Sequence, residues 1–255
     1  MEMHEQQDVV KVEFNYSPLI NFSMQQNRVG VIQQLSIRNM KQEALKDVRV
    51  ILTAEPAFGE CAPVAIEQIP SGINGQAVRV DSLRLQLSAT YFAQLTERMA
   101  GNFFLEVTAG GASIFKQSYP IDILAYDQWG GLNVYPEMLA AFITPNHSAL
   151  APIIKRAALI LEQWTGSPSL DEYQSRNPDR VRKQMAAIYA ALSEQNIIYS
   201  TVPPSFEESG QRIRLADTVL AQKLATCLDM ALLYASCLEA VGIHPLLVVT
   251  RGHAF

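Results

Sequence analysis

The stretch TCLDMALLYASCLEAVG, residues 226–242, decides the fold of the C-terminal half of the chain. Thr226 is a favourable N-cap residue, and Asp229 three positions later completes a capping-box pattern. Gly242 is a favourable left-handed terminator, which ends the pattern. The side chains between these signals are apolar almost all round, as is typical of a helix buried in the centre of a domain. The sequence therefore predicts a central helix with Cys227 at its first position.

A thiol at this position meets the positive end of the helix dipole and free backbone N–H groups. Together these favour the thiolate of Cys227 by about 1 kcal/mol, and the same N–H groups can hold a developing oxyanion. Cys237 lies about 15 Å further along the helix axis at the usual helical rise. It cannot form a disulfide with Cys227, and we interpret it as a small buried apolar group. With Cys61 at an unrelated spacing, no disulfide framework is predicted.

The residues that follow the helix offer a base for this thiol. PLLVVT, residues 245–250, reads as a buried strand, Arg251-Gly252 as a turn, and His253 as the start of the neighbouring strand. An antiparallel return brings His253 back toward the start of the helix, so Cys227 and His253 form a candidate nucleophile and general base. Gln222 is either a second oxyanion donor or a solvated helix residue.

The other histidines and the tryptophans have structural interpretations. His244 is predicted to lie at the surface, His147 in a loop before a helix, and His4 in an N-terminal tail. A metal site built from Cys227, His244 and His253 is disfavoured because the close paired spacings of zinc ligands are missing. The sequence therefore predicts neither a metal nor a cofactor. Trp129 and Trp164 are interpreted as core or interface anchors.

Two different periodicities divide the chain and predict an α+β fold. Residues 1–125 alternate with the strand period between turn signals, which favours an antiparallel immunoglobulin-like β-sandwich with one short helix, ATYFAQLTERMAG, ending at Gly101. Residues 126–133 are predicted to be a linker, with a hinge at residues 129–131. Residues 134–255 are mainly helical, with helices beginning at Pro136, at a Ser148 cap and at an Asn177 cap, the second ending at Gly166.

The C-terminal motifs resemble the transglutaminase-like, papain-related superfamily. The matching segments are Arg214, TCLDMALLYASCLEAVGI, the strand PLLVV and GHAF. The resemblance implies that Cys227 is the nucleophile, that His253 is the base, and that a protein or peptide-like substrate is used. It also implies an Asp or Asn beyond His253, so we expect a transglutaminase-like domain that is incomplete at its C-terminus. Ala225 departs from the family, which often has Gly two residues before the Cys.

More narrowly, AAFITPNH, PPSFEESGQRIR and the two motifs around Cys227 and His253 resemble the N-terminal part of large bacterial DNA helicase-related proteins. The resemblance implies an N-terminal fragment of such a protein. The alternative interpretation is a non-catalytic interaction or scaffolding module that keeps a relic Cys-His pair. In the first interpretation the thiol of Cys227 is a catalytic nucleophile, whereas in the second it does not react.

The composition of the chain limits which binding partners and which cellular location we predict. The net charge of −5 is spread over the whole chain without a basic face, so contact with DNA is expected only through parts of the parent protein outside this segment. The N-terminus MEMHEQQDVV lacks the features of a signal peptide, and no apolar run reaches the length of a membrane span. Reduced cysteines fit the cytoplasm, which we predict as the location. An uncovered strand at the C-terminal end could pair with a second copy, so the oligomeric state stays open.

Overall fold

The computed structural model describes residues 9–72 and 76–255. His4 lies outside the described residues. The chain divides into two compact units, Met1–Tyr126 and Asp127–Phe255. The fold is mixed α+β, as predicted, with N-terminal β-sheets that include a curled half-barrel and a mostly helical C-terminal region.

The first unit consists mainly of strands connected by turns. Its elements are β1 (Val10–Tyr16), β2 (Leu19–Ile20), α1 (Phe22–Gln26), β3 (Ile32–Asn39), β4 (Leu45–Glu55), β5 (Gly59–Cys61), β6 (Val64–Ile69), β7 (Val78–Arg79), β8 (Leu85–Leu87), α2 (Ala89–Gln94), β9 (Met99–Ala109) and β10 (Ala112–Ile123). The strand order is β1-β3-β7 in one sheet, β2-β10-β9-β4-β6 in a second and β5-β8 in a small third. All neighbouring pairs are antiparallel except β2 and β10.

The core of the first unit follows from strand alternation. In the middle of β4 and β9 every second side chain is buried, as expected when one face of a sheet packs on a core: Val48, Val50, Leu52, Phe103, Leu105 and Val107. An aromatic cluster connects two sheets. The ring of Phe14 on β1 meets Tyr119 on β10 edge-on, with centroids 4.9 Å apart, and Phe103 on β9 at 6.3 Å. Tyr16 adds a hydrogen bond from its hydroxyl to the carbonyl of Pro120 at 2.8 Å.

The short helix α2 ends earlier than the sequence predicts. Its Ser88 cap accepts a hydrogen bond from the Tyr91 N–H, but the helix stops at Gln94, and Gly101 lies inside β9. A Cβ added at Gly101 would come within 2.9 Å of the Ile123 side chain and 3.0 Å of the Glu55 carbonyl oxygen. Glycine is required here by close strand packing and not by helix termination, so the prediction that the helix ends at Gly101 is wrong.

The second unit is built from helices and very short strand pairs. Its elements are β11 (Gln128–Trp129), the 3₁₀ helices Pro136–Phe142 and Ser148–Leu150, α3 (Ala151–Thr165), α4 (Pro178–Ser193), β12 (Ile198–Tyr199), α5 (Phe206–Ser209), β13 (Gln211–Arg212), α6 (Ala216–Gln222), β14 (Leu224–Ala225), α7 (Cys227–Ala240), β15 (Val249–Thr250) and β16 (His253–Ala254). The strands pair as β11 with β13, β12 with β14 and β15 with β16.

Most helix boundaries in this unit are those predicted from sequence. Asn177 caps α4 by accepting a hydrogen bond from the Asp179 N–H at 3.0 Å, and Gly166 ends α3 in the left-handed region. The start of α3 differs, because Ser148 lies inside a 3₁₀ turn and the ring of His147 accepts the N–H of Ala149 at 3.2 Å. His147 therefore caps the 3₁₀ turn, and α3 itself begins after Leu150 without a side-chain cap.

Residues 127–133, which fall within the predicted linker, belong to the second unit, where Trp129 and Gly131 are buried and Leu132 and Asn133 are exposed. Trp129 is buried on β11 and is in register with Gln211 on β13. A Cβ at Gly131 would lie 2.3 Å from the Glu208 carbonyl oxygen, so the backbones touch. The absence of a side chain at Gly131 therefore allows two chain segments to approach closely, and the boundary between the units falls before Asp127.

None of the helices in the described part of the chain combines the length and the apolar character needed to cross a membrane.

Candidate functional site

The start of α7 places Cys227 at the first helical position, as predicted. The Thr226 side chain accepts the N–H of Asp229 at 3.2 Å, and the Asp229 carboxylate accepts the N–H of Thr226 at 2.8 Å. Both halves of the predicted capping box are therefore present. The helix ends as expected before Gly242, whose φ is +77°.

Two residues from outside the helix reinforce this cap. Asp229 is fully buried, and its carboxylate also accepts the backbone N–H of Arg214 at 2.9 Å and the Arg214 guanidinium at 3.0 Å. Gln211 donates its side-chain amide to the Thr226 hydroxyl at 3.1 Å. The cap is thus the centre of a network that fixes the first turn of α7, and with it the sulfur of Cys227.

The environment of the thiol is largely apolar. Cys227 is 6% exposed and packs in a cluster of buried residues: Trp129, Leu139, Phe142, Phe206, Ile213, Leu228, Leu232 and Ala254. In this neighbourhood the indole Nε1 of Trp129 and the side-chain Oε1 of Gln211 are buried without a hydrogen-bond partner among the residues described. Trp129 is therefore a core residue beside the site, as interpreted from sequence, whereas Trp164 is about half exposed.

His253 reaches the same region through a strand return. β15 and β16 pair antiparallel, with Thr250 opposite His253 across the Arg251-Gly252 turn. Only residues 249 and 250 of the predicted buried strand PLLVVT are in a strand, because residues 245–247 have no neighbouring strand to pair with, and none of residues 245–250 is buried. The ring of His253 lies 6.0 Å from that of Phe255. Within residues 9–72 and 76–255, no side chain hydrogen-bonds the nitrogens of the His253 ring.

Cys227 and His253 line one cleft of about 770 Å³ in the second unit. Its other walls come from α4, from the middle of α7 and from the segment 245–247. The structure therefore places both predicted residues on the walls of the same cleft. Gln222 is not among the lining residues and is exposed at the end of α6, as a solvated helix residue would be.

Tyr199 is a site residue that the sequence does not indicate. Parallel pairing of β12 with β14 places Tyr199 opposite Ala225, two residues before Cys227, and Tyr199 lines the same cleft. Partial desolvation raises the pKa of the Tyr199 phenol, and the negative charge and hydrogen bonding of the Cys227 sulfur raise it further. The phenol of Tyr199 and the sulfur of Cys227 therefore lie close to each other in the cleft.

Removal of this hydroxyl tests the contact. We expect Tyr199→Phe to slow the alkylation of Cys227 by iodoacetamide about threefold to tenfold, because the thiolate loses a donor. The matched control is Tyr189→Phe, since Tyr189 lines the cleft and its ring packs against Tyr234. The rates are measured by mass spectrometry of the alkylated peptide. An equal effect of both substitutions would show that the phenol at position 199 only contributes bulk.

The remaining cysteines and histidines lie apart from this site. Cys237 is fully buried in the helical core, and burial raises its pKa to about 12. Cys61 is partly exposed in the first unit, and burial raises its pKa. His244 is exposed beside Tyr173 and Glu239. In the described ranges, no group of three or more His, Cys, Asp or Glu side chains has the arrangement of a metal site.

Comparison with known proteins assigns no family to this chain. No protein-family model matches the chain, and no curated protein matches it. Among solved structures, the native conformation of E. coli alpha-2-macroglobulin is a distant match, with a TM-score of 0.30 and 13% sequence identity. The match covers 76% of this chain and 14% of that chain. A likeness at this level assigns neither family nor function.

Proposed function

We propose that the second unit carries a transglutaminase-like thiol site that hydrolyses or transfers an amide or acyl group of a protein or peptide-like substrate. The observation that supports this proposal most strongly is that Cys227, at the first position of a buried helix, and His253 line one cleft. A thiol at a helix start, with a titratable imidazole in the same cleft, is the arrangement of an activated nucleophile.

The reaction needs only these groups and a second nucleophile. His253 takes the proton of Cys227, and the sulfur attacks the carbonyl carbon of the substrate. The carbonyl electron pair moves onto oxygen, where backbone N–H groups at the start of α7 can stabilise it. The C–N bond then breaks, and the amine leaves with the proton from His253, so that a thioester remains on Cys227. Water or a second amine attacks the thioester and regenerates the thiol.

A second candidate function is a non-catalytic interaction module with a relic Cys-His pair. The strong burial of Cys227 in an apolar cluster and the absence of a described hydrogen-bond partner for the His253 ring favour it. An imidazole without an orienting partner loses its fixed tautomer and position, which weakens general-base catalysis. This candidate predicts that Cys227→Ser leaves the activity of a parent protein unchanged.

Selective alkylation distinguishes the two candidates. We expect iodoacetamide at about pH 8 to modify Cys227 at least about tenfold faster than Cys61, while Cys237 stays unmodified because of its high pKa. His253→Ala should slow the modification of Cys227 about tenfold without changing that of Cys61, since only Cys227 depends on this base.

The matched control for this experiment is His244→Ala, because His244 is exposed and does not line the cleft. Equal modification of Cys227 and Cys61, or equal effects of both histidine substitutions, would contradict a catalytic pair. Peptide mapping by mass spectrometry gives all of these rates from one sample, so differences in protein concentration cancel.

We also propose the wider context that the sequence motifs imply. The first unit would be an immunoglobulin-like sandwich, which the edge-on aromatic contacts of Phe14 with Phe103 and Tyr119 across two sheets support. The chain would be the N-terminal part of a larger, cytoplasmic, helicase-related bacterial protein. The evenly spread charge supports the view that DNA, if bound, is bound elsewhere in that protein.

A further inference from the structure

The walls of the cleft around Cys227 are uncharged. No Asp, Glu, Lys or Arg is among the described residues that line it, and His253 is its single imidazole. Desolvating a charged group against such walls without a partner is unfavourable. A substrate segment that enters the cleft is therefore uncharged where it lies against these residues.

Several large apolar side chains are exposed along the cleft. Leu246, in the segment after α7, is 89% exposed, and the rings of Tyr189, Tyr199 and Phe255 are each more than half exposed along the same cleft. Scattered exposed apolar side chains are ordinary, but a contiguous group around a concave site marks a binding surface. These four side chains form what we call the apolar rim.

The size of the cleft fits a short chain. A volume of about 770 Å³ lies within the range of about 300–1,000 Å³ found for pockets that bury most of a small ligand. The cleft runs along α7, where the apolar side chains of Met230 and Leu238 line it together with Cys227. When the carbonyl group of a substrate reaches the Cys227 sulfur, the substrate groups on either side of that carbonyl therefore contact apolar walls.

We propose that the site takes an uncharged acyl group flanked by aromatic or aliphatic side chains, which bind against the apolar rim, and that it discriminates against acidic acyl groups. This specificity rests on the proposed function, because it concerns the substrate of the Cys227 thiol. Its test does not need turnover, since alkylating reagents with different side groups report access to the sulfur directly.

The experiment compares N-benzyl iodoacetamide with iodoacetate. In each reaction the thiolate forms an S–C bond at the methylene carbon, iodide leaves with the electrons of the C–I bond, and the thiol proton goes to base. Each rate at Cys227 is divided by the rate of the same reagent with N-acetylcysteine, which removes intrinsic reactivity. We expect the benzyl reagent to be favoured at least about tenfold at Cys227, and not at Cys61.

Two variants link the selectivity to the rim. Leu246→Asp should reduce the preference for the benzyl reagent at least about threefold, because it removes apolar surface and adds a negative charge. Leu159→Asp adds the same charge on α3 at an exposed position that does not line the cleft, and should leave the preference unchanged. Because both leucines are exposed, both variants should fold.

The outcomes separate the two proposals. Modification of Cys227 without a preference between the reagents, or equal effects of both leucine substitutions, would overturn the specificity and leave the thiol chemistry standing. Failure of both reagents to modify Cys227 in the folded protein would overturn both. A preference that is lost in Leu246→Asp and kept in Leu159→Asp supports the assignment of the rim.

Discussion

Asp229→Ala is expected to destabilise the second unit by about 3–5 kcal/mol, as found when one partner of a buried ion pair is removed. The carboxylate of Asp229 is fully buried and accepts hydrogen bonds from two backbone N–H groups, of Thr226 and Arg214, and from the Arg214 guanidinium. The substitution leaves these donors without their acceptor and removes half of the capping box. It should also slow the alkylation of Cys227, because the first turn of α7 is no longer fixed.

Denaturant unfolding followed by tryptophan fluorescence measures this effect. The chain has two tryptophans, Trp129 and Trp164, and both lie in the second unit, so the signal reports that unit alone. The matched control is Asp217→Ala, since Asp217 lies in the first turn of α6 with its side chain mainly exposed and should cost less than about 1 kcal/mol. Similar unfolding midpoints for the two variants would refute the proposed role of the buried network.

The parts of the site that depend on local sequence could be predicted. The capping box of Thr226 and Asp229 spans four residues, and the glycine terminator follows directly after an apolar helix, so both are visible in the order of side chains. The return that carries His253 needs only a strand pattern and an Arg-Gly turn. These signals act over a few residues, and tertiary packing does not override them here.

The parts that depend on distant contacts could not be predicted. Tyr199 enters the site through a two-residue parallel pair, which is too short to produce an alternating pattern. Gln211 supports the Thr226 cap from a strand of two residues. Gly101 follows a helical pattern in sequence, yet its small size serves a contact with Ile123 on the neighbouring strand. In each case the sequence shows the residue type, but the distant residue that it contacts is known only from the fold.

Gly210→Ala is expected to be about as disruptive as the loss of Asp229, at about 4 kcal/mol or more. Gly210 has φ +75° and ψ 177°, a region that residues with a Cβ hardly ever adopt. A Cβ there would also overlap the carbonyl oxygen of Trp129. Because β11 and β13 pair at this point, the clash should separate the strands and withdraw Gln211 from the Thr226 hydroxyl.

The control for backbone strain is Gly166→Ala at the end of α3. Gly166 also has φ +75°, but its ψ of 5° is left-handed helical and a Cβ there would meet no atom within 4 Å. It should therefore cost only about 1–2 kcal/mol, the usual penalty for a side chain in this region. Comparable unfolding free energies for the two variants, measured by tryptophan fluorescence, would show that the backbone contact of Gly210 with Trp129 is unimportant. A large difference, with slower alkylation of Cys227 in Gly210→Ala alone, would support the role of this contact. The close approach of Gly210 to Trp129 would then keep Gln211 hydrogen-bonded to Thr226, next to Cys227.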